Sequence, residues 1–338
     1  MLRLLPIILL LLTAGCSTVT ARLDADKRIA LTFDDVPRGP GAYLTPEERT
    51  GRLIAALDRA GVDQAAFFVT VGNLHKPHGA GGVERIERYV RAGHVIANHS
   101  FTHVHLTAVT ADAYLADVDR AEAWLAPRPG RRAWFRFPFL NEGRADKTKR
   151  DAVRAGLAAR SLRNGYVTVD ASDWKLESLT SEAVAAGKRV DRTALRDLYV
   201  ESHIEAAEFY DGLARRTIGR SPAHVLLLHE TDLAALFVED LVAALRRAGW
   251  TIISADEAFA DPIGSAAPDV PSAQGTLTEA LAWEKGLPAP RWYTRNDSQL
   301  AKLFAERVLG EPADTPSSAG PLKMDKTKQV PAPGVERP

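Results

Sequence analysis

Residues 31–37 read LTFDDVP, an apolar run that ends in two adjacent carboxylates, Asp34 and Asp35, before Val36-Pro37. Neighbouring side chains of a regular strand point to opposite faces, so the two acids do not simply share a surface. Alone, the pair reads most simply as a solvated strand end before a proline turn. Residues 98–106, NHSFTHVHL, place His99 and His103 four positions apart. On one helical turn both imidazoles face the same way and can chelate one metal ion, although a surface histidine pair has the same spacing. With Asp35 from a neighbouring strand end, a set of two histidines and one aspartate suits a borderline-to-hard divalent ion with positions left for water. Zinc is the first expectation, and cobalt, nickel or manganese also fit. His105 is expected to point away from the pair, because i and i+2 do not share a helical face. Arg136 in RFPF, Asp170 and Asp173 in DASDW, and His229 in LLLHE are further polar residues behind apolar runs. Each also has a structural reading: Arg136 as an ion-pair partner, Asp173 as a helix cap, His229 as a core histidine.

The elements that must position these residues alternate. Apolar runs at 28–33, 65–71, 94–100, 133–139, 165–170, 224–230 and 251–256 read as strands. Between them, 46–60, 83–92, 110–126, 147–160, 193–215 and 233–248 carry helical patterns. The first of these helices opens with Thr45 as N-cap, Pro46 at the first helical position and Glu48 completing a capping box. Strands alternating with helices predict a parallel sheet, and seven such units predict an α/β fold closed or nearly closed into a barrel, with an open doubly wound sheet as the alternative. In such barrels function gathers at the C-terminal ends of strands, where the residues above fall. No glycine-rich fingerprint follows any run, so nucleotide binding has no support.

The ordered motifs TFDD (32–35), HSFTH (99–103), RFPF (136–139), DASDW (170–174) and LLLHE (226–230) resemble those of the NodB-homology polysaccharide deacetylases, carbohydrate esterase family 4. The resemblance spans residues 28–262 and implies a distorted (β/α)7 barrel that removes acetyl groups from carbohydrate with one divalent metal ion. It implies that Asp35, His99 and His103 hold the ion, and that Asp34 stays off it as general base. Arg136 would pair with Asp34. The backbone N–H of Phe139 would help hold the oxyanion, and His229, oriented by Asp173, would protonate the leaving group. Trp174 is expected either on the wall of the sugar pocket or in the core. Two positions depart from the family pattern: Phe139 stands where tyrosine is usual, and Glu230 follows His229 where aspartate is usual.

The chain has 338 residues, 46% hydrophobic and 25% charged, which is ordinary globular composition. Lys plus Arg equals Asp plus Glu at 43 each, so charge gives no argument for nucleic acid. The start, MLRLLPIILLLLTAGCS, has an apolar run too short to span a bilayer and resembles a signal peptide. TAGC resembles a lipobox, which makes Cys16 the expected lipidation site and residues 1–16 a lipoprotein signal. Ser17 after it leans, by resemblance to Gram-negative lipoproteins, towards the outer membrane. Cys16 is the only cysteine, so no intramolecular disulfide forms. Residues 17–27 read as a tether, 263–310 as a helical extension after a linker-like stretch, and 311–338 as a disordered tail. The expected substrate is a glycan containing N-acetylglucosamine. An amide and an ester present the same acetyl carbonyl, so the motifs do not separate N- from O-deacetylation. Two other readings stand beside this one: a NodB-like amidohydrolase on a small amide or imide, and a non-catalytic glycan-binding envelope protein.

Overall fold

The computed structural model describes residues 27–312. Residues 1–26, with the expected signal and Cys16, and residues 313–338, most of the expected tail, lie outside the described residues. The sheet is parallel and centres on β1 (Arg28–Val36). Its order is β6 (Arg163–Asn164), β4 (Arg131–Phe135), β3 (Val95–Asn98), β2 (Ala66–Val69), β1, β8 (Ala223–His229), β7 (Val169–Asp170). A short β9 (Thr251–Ile252) pairs with the start of β1. Helices α1 (Pro46–Arg59), α2 (Gly82–Arg91), α3 (Ala111–Leu125), α4 (Lys147–Ala159), α5 (Asp173–Ala185), α6 (Arg192–Ile218) and α7 (Asp232–Arg247) fall between the strands in sequence. Among the described residues no ladder joins β6 to β7. The curled sheet is therefore a half-barrel, the distorted (β/α)7 form.

Alternation along the strands sorts the residues. Ile29, Leu31, Phe33, Phe67, Val69, Ile96, Leu226 and Leu228 join the large apolar cluster shared with α1, α2, α6 and α7. Ala30, Ala66, Phe68, Ala97, Trp134 and Val225 join a second cluster on the other face, closed by Phe259 at the end of α8 (Ala255–Phe259). The period of two carries that inner face on to Thr32 and Asp34, to His99, to Arg136 and to His229. The capping box at Thr45 and Glu48 forms as the sequence predicts.

Three local readings change. The run 165–170 is not one strand: β6 and β7 are two residues each, with the segment between them running through the open seam. The run 133–139 stops as a strand at Phe135, because residues 138–140 form a tight turn in which Phe139 and Leu140 take positive φ. The sequence pattern also missed α5. Its buried face, Asp173, Leu176, Glu177, Thr180 and Ala183, has helical spacing but is largely polar, so hydrophobic periodicity could not reveal it.

The linker-like stretch after 262 lies against the barrel. It buries Ile263, Val270 and Ala273, and its β10 (Ala273–Gln274) pairs antiparallel with β5 (Asn141–Arg144). Helices α9 (Leu277–Glu284) and α10 (Asp297–Leu303) then pack on α6 and α5 respectively. No helix of the described residues is long and apolar enough to cross a membrane.

Candidate active site

The C-terminal strand ends open into a cleft of about 730 Å³ whose lining includes Asp34, Asp35, Arg38, His99, His103, His105, Phe139, Asp170, Trp174 and His229. Both acids of the DD pair reach it. Asp34 is the last β1 residue in regular register with β8, opposite His229. The register with β2 then slips between Phe33 and Val36, and Asp35 takes φ 67°. That kink cancels the alternation a straight strand would impose. His99 Nε2 accordingly lies 3.6 Å from Asp34 Oδ2 and also 3.6 Å from Asp35 Oδ1.

His99 and His103 do come together, but not on a helix. Residues 99–105 form an irregular loop in which Ser100 and His103 have positive φ. Ser100 Oγ accepts from His103 N at 2.9 Å, and Asp117 of α3 accepts from the backbone of Phe101 and Thr102. These contacts hold His103 Nε2 3.0 Å from Asp35 Oδ1. The ligand atoms of Asp35, His99 and His103 all lie within 4.8 Å of one another. The donor set fits a divalent ion. His99 Nδ1 is 2.9 Å from the carbonyl of Arg136, which fixes the tautomer and leaves Nε2 as a lone-pair donor towards the cleft. Burial, only partly offset by the nearby carboxylates, lowers the His99 pKa to about 4, so the ring is neutral as a ligand must be. Burial alone would raise the Asp35 carboxyl, but His103, Arg38 and His229 hold it well below the usual carboxylate range.

Arg136 is buried and spends its donors inside the barrel. It gives hydrogen bonds to Asp34 Oδ1 (2.7 Å), Thr32 Oγ1 (2.8 Å), and the carbonyls of Gly165 (2.6 Å) and Tyr166 (3.2 Å), and its guanidinium lies 3.8 Å from the centre of the Phe68 ring. It therefore stitches the open seam and fixes one Asp34 oxygen while the other faces His99. At the far side, Asp173, the first residue of α5, accepts from His229 Nδ1 at 2.7 Å and from the His229 backbone at 2.8 Å. Burial opposes the imidazolium, but Asp173, with Asp35 and Asp34 behind it, pushes the His229 pKa up to about 9.

Trp174 is 40% exposed and lines the cleft, so it is not a core residue. Phe139 lines it too, and its ring stacks on His105 with centroids 3.5 Å apart. His105 thus turns towards the site, contrary to the helical expectation, because the loop is not a helix.

Arg38 was not legible as a site residue. It lies in the loop PRGPG and pairs with Asp35 Oδ2 at 2.6 Å. Its backbone N–H is held by the buried Glu230, which also accepts from Tyr89, so the unusual acid after His229 anchors the Arg38 loop. A basic residue three after the acid pair was the only available signal.

Comparison with known proteins gives the family. The family model described as polysaccharide deacetylase matches residues 22–159. A chitooligosaccharide deacetylase from Rhizobium leguminosarum bv. trifolii is 30% identical over 169 residues, covering 48% of this chain and 68% of that protein. Among solved structures, a family 4 carbohydrate esterase from Streptomyces lividans in complex with acetate is 22% identical, with a TM-score of 0.45, covering 72% of this chain and all (100%) of that one. The peptidoglycan deacetylase PdaC from Bacillus subtilis is 20% identical with a TM-score of 0.43, covering 68% and 89%. The chain belongs to the polysaccharide deacetylases, the NodB type of carbohydrate esterase family 4. It is a deacetylase, an enzyme acting on acetylated carbohydrate.

Proposed function

We propose that this enzyme hydrolyses the acetamido group of glycans containing N-acetylglucosamine, and that it does so as an envelope lipoprotein anchored through Cys16. The observation that carries the chemistry is the convergence of three ligand atoms beside two separately supported acid–base groups, Asp34 on Arg136 and His229 on Asp173. Asp35, His99 and His103 would hold one divalent ion, zinc first among the candidates. Bound there, such an ion lowers the pKa of water and polarises a carbonyl.

The chain's own groups supply the proton transfers. Asp34, with one oxygen fixed by Arg136, takes a proton from the attacking water as its oxygen bonds to the acetyl carbon. The N–H of Phe139 donates to the developing oxyanion. His229, protonated at neutral pH, gives its proton to the nitrogen as the C–N bond breaks, releasing acetate and a free amine. Trp174 forms part of the sugar-facing wall. A small-amide hydrolase is favoured less by a cleft of about 730 Å³, and a purely binding role less by the intact acid–base pairs.

The test is acetate release by the purified chain from N-acetylglucosamine oligomers, peptidoglycan and acetylated xylan, with and without chelator and re-added Zn²⁺ or Co²⁺. Chelator-sensitive release restored by metal, greatest on the N-acetylated glycans, is expected. Preference for xylan would reassign the enzyme to ester substrates. Separately, Cys16→Ser is expected to move the protein out of the membrane fraction, and unchanged fractionation removes the anchor.

A further inference from the structure

A second cavity of about 360 Å³ is lined by Gln274, Gly275, Glu279, Trp283, Arg291 and Trp292. It adjoins the catalytic cleft: Gln274 and Gly275 line both. Every one of these residues comes from the extension that follows the barrel. The segment is held firmly. Gly275 N–H donates to Leu140 and Leu277 N–H to Val167, while Tyr210 of α6 donates to Glu279 at 2.9 Å. Gly275 has φ 92°, and a Cβ there would sit 2.2 Å from a Glu279 oxygen, so the close turn into the cavity requires glycine. Beyond it, Arg295 pairs with Glu201 and Glu205, and Tyr293 also bonds Glu205, fixing the stretch that carries Trp292 to α6.

The exposed large apolar side chains of the described residues are Val83, Phe139, Trp174, Trp283 and Trp292. All but Val83 line these two adjoining cavities. Exposed aromatics gathered around adjoining cavities mark a binding surface rather than scattered surface residues. Here they stand beside a primary amide, a carboxylate and a guanidinium, with Arg291 lying 4.9 Å over the Trp283 ring. Flat apolar faces next to hydrogen-bonding groups suit pyranose rings, which present C–H faces and hydroxyl edges.

We propose that the extension builds an accessory sugar subsite, in which Trp283 and Trp292 hold units of the same glycan whose acetyl group lies in the catalytic cleft. This rests on the glycan reading above. The enzyme then selects polymers or long oligomers over short ones.

The test compares N-acetylglucosamine dimer and hexamer. The wild-type chain is expected to favour the hexamer in kcat/KM, and Trp283→Ala with Trp292→Ala to cut that preference roughly tenfold, as loss of a well-packed aromatic contact does. Trp292→Phe is expected to restore much of it. Calorimetry of hexamer binding to the Asp34→Asn chain, with and without the tryptophan changes, reads the subsite without turnover. An unchanged length preference together with unchanged hexamer binding overturns the proposal. If the wild-type chain releases no acetate from either oligomer, the substrate reading fails. The subsite then stands on a tryptophan-dependent calorimetric signal and falls without one.

Discussion

His224 and His229 lie five residues apart on β8, and each faces an aspartate. An odd separation on a strand puts them on opposite faces. His224 Nε2 lies 3.3 Å from Asp211 of α6, on the outer face and fully buried, with Thr168 at its other nitrogen. His229 lies 2.7 Å from Asp173 at the strand's C-terminal end, where it lines the cleft. Burial lowers the His224 pKa despite Asp211, whose charge is also shared with Arg215. At His229 three carboxylates outweigh the same burial and raise it to about 9. The same pair of residue types is thus a neutral packing element on one face and a charged pair at the cleft on the other. Surroundings decide the role, and residue type does not.

Breaking the cleft side should cost the most. His229→Ala and Asp34→Asn are each expected to lower kcat by roughly 10²–10⁴-fold, the usual contribution of a positioned acid or base. Metal analysis of Asp34→Asn should show the ion retained, and loss of metal in parallel with activity would reject its assignment as base. Asp173→Asn should cost less, about 10–100-fold, as removal of a group that orients and charges another residue does. It should also move the alkaline limb of the kcat profile to lower pH. An unmoved limb would show that Asp173 is only a helix-start residue.

The buried side should respond in stability. His224→Ala leaves Asp211 without one of its buried partners, at a cost of about 1–3 kcal/mol in denaturant unfolding. Activity per folded molecule should stay near wild type. A large loss of kcat without loss of stability would erase the contrast between the two pairs.

The smallest effects are in pH. His229 has a folded pKa above its unfolded value of about 6.5. Its pairing is therefore fully stabilising below about 6.5 and is lost as pH rises through about 9, along with the proton needed for leaving-group departure. His94 is the opposite case. Its Nδ1 accepts from the Ala65 N–H, and burial lowers its pKa to about 4. Its contribution is complete above about 6.5 and is lost as pH falls towards 4, which unfolding midpoints across that range would register.

Much of this protein was written in its sequence. The alternation of runs fixed the parallel α/β architecture, since a period of two against 3.6 is a local property of the chain. Asp34, Asp35, His99, His103, Arg136, Asp173 and His229 were all legible as polar residues closing apolar runs; the structure brings Asp34, Asp35, His99, His103 and His229 to one cleft and buries Arg136 and Asp173 behind Asp34 and His229. How they meet was not legible. The His99–His103 pair converges through a loop at positive φ, held by Ser100 and Asp117, where the sequence suggested a helical turn. Asp35 joins Asp34 on one side only because a register slip overrides strand alternation. Helix α5 hid because its buried face is polar, and Arg38 because its partner lies across a turn. The extension looked like linker and short helices, yet it supplies Gln274, Gly275 and two tryptophans beside the cleft. Local patterning follows from the covalent chain. Loop backbone angles, long-range ion pairs and the facing of one segment on another exist only once the barrel has brought distant residues together, so the tertiary structure alone decided them.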